Sequence, residues 1–363
     1  MNKFLTNRQI SVILYSIIVG YGFINIPKTV MEVAGTGSWF PLLIAMFIFI
    51  AITYIITYLQ YVYEGKTLYE YSQKLVGKLM SSLIIIVCLI YFFVFFSMII
   101  RLYSETIKLI ILNKTPVIFI CMLMYIVVGY ALTKGINVIA RVCEIYVPIY
   151  VIGTIFICSL LLTKGRLVNT RPLFYVGDIM TYFKALKTTI FPFLGMEILL
   201  FIPISKTENK NIFRYTMLMV GFVGIIYIYI VESTMSVVGV ESVILLKAAM
   251  LSILKGIDIY SLDIIRRLDG LYIVIWTMNL VCAMSLWAYG TIAIITRKIK
   301  SIKYNFMVII IAIISFIVSQ IPKTMEQVQL TINYNSYLGI VVFLIIPVIL
   351  FIITKVKRYD KKI

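Results

Sequence analysis

Residues Ile17–Thr29 read IIVGYGFINIPKT, inside the first long apolar run of the chain, yet they include two glycines, an asparagine, a proline and a lysine. Glycine in a helix interior costs about 0.5–1 kcal/mol relative to alanine, and proline removes a backbone donor and clashes with the preceding turn. A second stretch of this kind, IFPFLGMEILLFIPISKT at Ile190–Thr207, puts Pro192, Gly195, Glu197 and Pro203 inside the sixth apolar run. Taken alone, the first stretch allows close helix packing at Gly20 and Gly22 and a kink at Pro27. Taken together, the two predict a pair of broken helices, because open backbone groups at membrane depth are tolerated only where they face protein, water or ligand. Gly/Pro-interrupted segments at matching places in two halves of a chain mark a transporter's central site.

The rest of the chain supplies the frame for that pocket. Hydrophobic residues make up 62% of 363 and mean hydropathy is +1.05, against roughly 45–50% apolar in soluble domains, so the class is an integral membrane protein. Ten apolar runs are bounded by charged or Gly/Pro/Asn clusters, at about 9–33, 38–63, 81–111, 116–133, 139–163, 182–204, 213–238, 267–296, 304–321 and 336–356. The expected architecture is all-α with ten transmembrane helices in one polytopic domain. It divides into a first repeat of about 9–163, a second of about 182–356 and a tail at 357–363. Five spans per half put the two breaks in opposite orientations, as an inverted repeat requires. The first run, with only Lys3 and Arg8 before it and a second span directly after, reads as a retained span rather than a cleaved signal peptide.

Net charge is +18, but the Lys and Arg residues are spread over short loops beside apolar runs, which points to membrane orientation and away from nucleic acid. They are denser on the side that holds both termini, so the termini are expected to be cytoplasmic. Two longer outer segments, Lys164–Thr181 and Gly239–Arg266, are candidates for surface helices or partner contacts. The second can lie along the membrane interface or form an ordinary capped hairpin. Histidine is absent and the five cysteines sit in or beside apolar runs without a CxxC pair. Buried free thiols, no metal, no cofactor and no enzyme chemistry are expected.

Several side chains stand out as candidate ligand contacts. Gly20, Tyr21 and Gly22 in span one, and Phe193, Leu194 and Gly195 in span six, would offer open amides and carbonyls; the half-helix after a break aims its N–H groups into the gap. Glu197 lies in an apolar setting where a charge costs on the order of 2.5–3.5 kcal/mol, so it should face the interior. It can receive an ammonium group, bind a cation or proton, bond open amides of span one, or serve as a structural carboxyl. Arg101 and Glu105, four apart on span three, read as an ion pair or a gate. Glu144 and Glu232 read as interfacial. Arg267 and Asp269, in RRLDG at the entry to span eight, read as a capped, charged helix start or a gate. Ser97 and Tyr103 on span three, and Thr277, Asn279, Ser285 and Tyr289 on span eight, could face the centre. Ser285 or Thr291 could complete a weak cation site with span-one carbonyls, and Trp276 and Trp287 are expected to pack. Pro27 and Lys28 fall on the outer half-helix. The glycines are therefore expected to matter for ligand response and Lys28 is not.

LTNRQISVIL, GYGFINIPKTVMEVAGTGSWFPLL, FPFLGMEILLFIPI and RRLDGLYIVIW, in this order and together with the ten spans and short basic tail, resemble the spore germination permease family, the B subunits of nutrient germinant receptors. The resemblance covers essentially the whole chain. It implies a LeuT-like bundle of the amino acid-polyamine-organocation superfamily in the inner spore membrane, working with an A subunit and a lipoprotein C subunit. It also implies a small nutrient, often an amino acid, at the centre, its carboxylate on the amides around Gly20–Gly22 and Phe193–Gly195 and spans three and eight lining the pocket. Two departures accompany it: Arg266-Arg267 stands where many members have an acidic residue before the arginine, and span five lacks the lysine of proton-coupled relatives. The leading function is a ligand-sensing receptor subunit, with a proton- or sodium-coupled amino acid transporter and a non-binding scaffold as alternatives.

Overall fold

The computed structural model describes residues 4–22, 26–174, 179–246, 249–256, 268–298 and 303–359, and among these residues there is no β-strand. Span one consists of α1 (Asn7–Gly22) and α2 (Ile26–Ala34), followed by α3 (Trp39–Val62), α4 (Leu68–Ile110), α5 (Val117–Thr133) and α6 (Ile136–Lys164). Span six consists of α7 (Ile179–Ile190) and two 3-10 segments, Phe191–Phe193 and Met196–Phe201. Then come α8 (Ile212–Leu245), the short α9 (Ala249–Gly256), α10 (Leu268–Lys298) and α11 (Tyr304–Ser319). Span ten joins α12 (Met325–Ile340) to α13 (Ile346–Val356) through a π-helical stretch, Val341–Ile345. Among the described residues, six helical segments are long and apolar enough to cross a membrane, α5 and α11 are shorter apolar helices, and the two broken spans complete ten crossings.

Helix starts depart from the hydropathy reading where a cap decides them. The capping box of Thr67 and Glu70 starts a short helical stretch at Leu68, and Gly77 (φ +81°, ψ 171°) breaks α4 before the membrane segment that the hydropathy reading begins near 81. α12 begins at Met325 rather than near 336, where the Thr324 hydroxyl accepts from the Gln327 amide. Its first turns carry Glu326, Gln329 and Asn333, a polar face that an apolar-run criterion passes over.

Three aromatic contacts tie spans from both halves. Phe49 of α3 stacks on Phe193 of span six, centroids 4.8 Å apart, and on Phe343 of span ten at 5.0 Å. Phe95 of α4 stacks on Trp287 of α10 at 4.5 Å. Trp276 and Trp287 are both buried, in the packing role expected of them, and all five cysteines are buried free thiols.

The loops close against the bundle ends. On the termini side, the Asn209 amide donates to the Leu5 carbonyl at 3.0 Å and to Asn7 Oδ1 at 3.1 Å, and Ser205 Oγ donates to Glu64 at 3.0 Å. Glu144 meets Arg8 there at 3.8 Å, an end-of-helix position consistent with its interfacial reading. On the opposite face, Trp39 Nε1 donates to the Leu173 carbonyl at 2.7 Å and Asn169 to the Ser236 carbonyl at 2.9 Å. α8 is interrupted at Gly239 (φ +75°, ψ 166°), next to the expected end of span seven at 238, a short helical stretch follows to Leu245, and α9 buries Met250, Leu251, Ile253 and Leu254. α9 is therefore packed against the protein, while Leu245 just before it is exposed. Residues 257–267 of the second outer segment are outside the described residues.

Candidate functional site

The two breaks meet at one point. α1 stays helical through Gly22, so the expected break at Gly20 is corrected: Gly20 is a packing residue, and a Cβ there would fall 2.3 Å from Ala283 Cβ of α10. The reason is energetic, since one glycine weakens a helix by about 1 kcal/mol and close contact with α10 offsets that without opening the backbone. Gly22 is the junction. A Cβ on it would lie 2.2 Å from the Tyr227 hydroxyl and 2.6 Å from the Pro192 carbonyl. The Tyr227 hydroxyl of α8 donates between two carbonyls, Ile18 in span one at 3.1 Å and Pro192 in span six at 2.9 Å, and so ties the two broken spans together. The Tyr21 side chain and residues 23–25 lie outside the described residues.

Span six turns at Gly195, whose φ of +125° is open to glycine and strained for any other residue. Beyond it the chain is 3-10 rather than α-helical, and Glu197 is fully buried. Both Glu197 carboxylate oxygens lie 3.0 Å from the Gly195 amide nitrogen, and the Tyr91 hydroxyl of α4 donates to Oε1. The Tyr91 carbonyl in turn accepts from the Asn335 amide of α12 at 2.9 Å. This corrects two expectations. The donors to Glu197 are in span six and span three, not span one, and the Gly195 amide that was to receive a ligand's carboxylate already holds the protein's own. A buried carboxylate requires donors, and the amide two residues back is the nearest one freed by the break. Phe193 and Leu194 are likewise fully buried, Phe193 against Tyr227 and Phe49 and Leu194 against Gly339.

The remaining candidates separate into three groups. Ser97 is six residues beyond Tyr91, about 240° around the helix, so it faces away from the breaks. Its hydroxyl bonds Ser315 at 2.7 Å, and Ser315 bonds the Tyr125 hydroxyl at 2.7 Å. Arg101 pairs with Glu105 at 2.9 Å and donates to Gln320 at 2.6 Å. These contacts make a polar seam between spans three, four and nine, and the ion-pair reading of Arg101 and Glu105 describes their geometry. Ser285 and Thr291 each donate to a carbonyl of their own helix, Val281 and Trp287. Thr277 pairs with Tyr103, and Tyr289 is half-buried in the termini-side half of α10. Asn279 is different: it is fully buried and neither amide atom has a partner among the described residues. Leu280 and Ala283, on the next turn, touch Gly20. Arg267 and the side chain of Asp269 lie outside the described residues.

Above the junction, on the face opposite the termini, a cavity of about 430 Å³ is floored by Gly22 and Pro192 and walled in part by Lys28, Glu32, Glu326 and Gln329. Lys28, set aside in the sequence reading, is one of its walls. Tyr91, Tyr227 and Asn335 were missed altogether. A tyrosine in an apolar run carries no signal of its own, and Asn335 was passed over because it fell before the assigned start of span ten.

A family model described as spore germination protein matches residues 4–328. The chain is 27% identical to spore germination protein YndE of Bacillus subtilis (strain 168), covering 99% of the chain and 98% of that protein. It is also 27% identical to spore germination protein A2 of the same organism, over 98% and 96% of the two chains. Among solved structures, MhsT in complex with L-phenylalanine superposes with a TM-score of 0.68 at 11% identity, over 98% of this chain and 90% of that one. A Na+-coupled sialic acid symporter in a substrate-bound outward-open state gives 0.67 at 14% identity, over 93% and 76%. The fold is therefore the LeuT-like one expected, with discontinuous helices one and six.

Proposed function

The chain belongs to the spore germination protein family, and from that membership we propose that it is the permease-like subunit of a nutrient germinant receptor, binding a small nutrient between broken spans one and six and so triggering germination. The observation that carries this reading is the Glu197 clasp: a buried carboxylate held at the break of span six by the Gly195 amide and the Tyr91 hydroxyl. With an anion built into the break, the group of an amino acid that meets span six is its ammonium. The remaining carboxylate lone pairs of Glu197 accept from it in this reading.

Triggering needs the nutrient to bind one arrangement better than the other. Moving a two-state balance from 1:99 to 99:1 takes about 5.5 kcal/mol of differential binding. One charge-assisted hydrogen bond contributes about 1.5–3 kcal/mol, so the nutrient must touch both breaks rather than Glu197 alone. The Gly22–Pro192 junction, tied through Tyr227, is where both breaks are in reach of one small molecule. In this reading the chain lies in the spore inner membrane with both termini cytoplasmic and passes its change of state to A and C subunits. Spores carrying Glu197→Gln, with protein levels matched to wild type, are expected to lose nutrient-triggered germination while still germinating with a receptor-independent stimulus. Unchanged nutrient dependence overturns the site. Concentrative amino acid uptake by proteoliposomes containing this chain alone would instead identify a transporter.

A further inference from the structure

The first of the two longer segments on the face opposite the termini carries five cations. Lys164, Arg166, Arg171, Lys184 and Lys187 stand there, and the one acid between them, Asp178, is outside the described residues. All five are exposed, and among the described residues none makes an ion pair or a side-chain hydrogen bond. The orientation bias of short loops gathers cations on the termini face, which leaves these five on the other face without that reason. Apolar side chains are exposed among them. Leu167 and Val168 are 76% and 81% exposed, and Leu173 is exposed beside Arg171 and Pro172. On α7, Met180, Phe183, Lys184 and Lys187 recur at i, i+3, i+4 and i+7, so they share the face opposite buried Tyr182 and Ala185.

The segment is folded back onto the bundle. Gly165 packs on Ser236 of α8, where a Cβ would fall 2.3 Å from the hydroxyl, and the Arg166 amide donates to the Ser236 carbonyl at 2.8 Å. Asn169 Nδ2 donates to the Ser236 and Val237 carbonyls at 2.9 and 3.3 Å. These bonds hold Leu167 and Val168 level with the last turn of α8 before its interruption at Gly239, the depth at which a spanning helix meets the headgroups. Further along, Thr36 Oγ1 donates to the Pro172 carbonyl at 2.7 Å, and Phe174 packs on Phe40 of α3 at 5.1 Å and on Tyr182 of α7 at 5.2 Å. One belt thus runs from the ends of α6 and α8 past the start of α3 to α7, with unpaired cations and exposed apolar side chains side by side along it.

We propose that this belt binds the headgroups of anionic phospholipids, with Leu167, Val168, Met180 and Phe183 in the acyl boundary and the five cations reaching to the phosphates. Long cationic side chains lay their stems on apolar groups and extend their heads to the interface, and each cation near an anionic surface adds to the attraction. An acidic protein would match the charge alone; the depth of the turn and its exposed leucine and valine favour lipid. Because Phe174 and Tyr182 tie the belt to α7, lipid held here grips the outer half of span six, the element that leads into the Gly195 turn.

Trp39 reports on the belt: its Nε1 donates to the Leu173 carbonyl at 2.7 Å, and it is half-buried whereas Trp276 and Trp287 are enclosed. The test places the full chain in nanodiscs of phosphatidylcholine with a minor fraction of phosphatidylglycerol, bromine being carried on the acyl chains of one lipid or the other. Per mole, brominated phosphatidylglycerol is expected to quench Trp39 about fivefold more than brominated phosphatidylcholine, and high salt should bring the ratio towards one. Arg166→Gln with Arg171→Gln, and Lys184→Gln with Lys187→Gln, should each lower the ratio, while Lys206→Gln with Lys210→Gln on the termini face should leave it unchanged. Trp39→Phe should remove the selective quenching. The wild-type ratio and its salt dependence decide the matter even if a variant fails to fold. Equal quenching by the two lipids overturns the assignment and leaves an acidic protein surface as the partner. A ratio lowered as much by the termini-face pair as by the belt pairs also overturns it, since the charge would then act only at long range.

Discussion

At Glu197, the side chain announces itself in the sequence and its partners do not. A charge in an apolar run must find donors, and that much follows from the cost of burying it. Which donors it finds depends on the turn at Gly195, which frees an amide two residues away, and on Tyr91, which comes from a distant span. Tyr91→Phe removes one donor to a buried anion and should destabilise the protein by about 1.5–3 kcal/mol. The measurement is thermal unfolding in detergent. In the double variant with Glu197→Gln the losses should fall short of additive, because the two residues share one bond. An additive pair would mean that the hydroxyl and the carboxylate act independently. Tyr227 illustrates the same limit of sequence reading, since nothing local distinguishes it from the other tyrosines of α8, yet its hydroxyl joins the two breaks.

Among the elements, Gly20 and Gly22 look alike in GYG and have different roles. Gly20 sits in a continuous helix and lets α1 approach Ala283 of α10, while Gly22 ends the helix against Pro192 and Tyr227. Gly20→Ala should therefore destabilise by about 1–3 kcal/mol through overpacking. Gly20→Ala combined with Ala283→Gly should recover most of that loss, because one glycine is exchanged for another and the contact volume is restored. Thermal unfolding of the three variants decides it, and a double variant no better than the single one would show that the backbone at Gly20 matters for more than room. Span ten carries a related lesson. Its first turns were illegible to an apolar-run criterion because Glu326, Gln329 and Asn333 are polar, and that same polar face lines a cavity.

For the molecule as a whole, the crossing number sets both termini on one face and the Lys28 cavity on the other, and the orientation in the membrane can be read chemically. The five native thiols are buried, so a membrane-impermeant maleimide should leave the wild type unlabelled. Lys323→Cys lies exposed on the cavity face and Glu208→Cys exposed on the termini face. In intact spheroplasts the first should label and the second only after permeabilisation; the opposite pattern would invert the topology. Composition and apolar periodicity by themselves determined the membrane class, the ten crossings and the two broken spans, because bilayer thickness and backbone hydrogen bonding leave a chain of this hydropathy few other arrangements. They also singled out Glu197, since an isolated charge is costly wherever the chain folds. Only the tertiary structure decided where span one opens, which amide and hydroxyl hold Glu197, and that Lys28 lines a cavity. Those outcomes depend on which helix faces meet across the bundle, and that is set by packing between residues far apart in sequence.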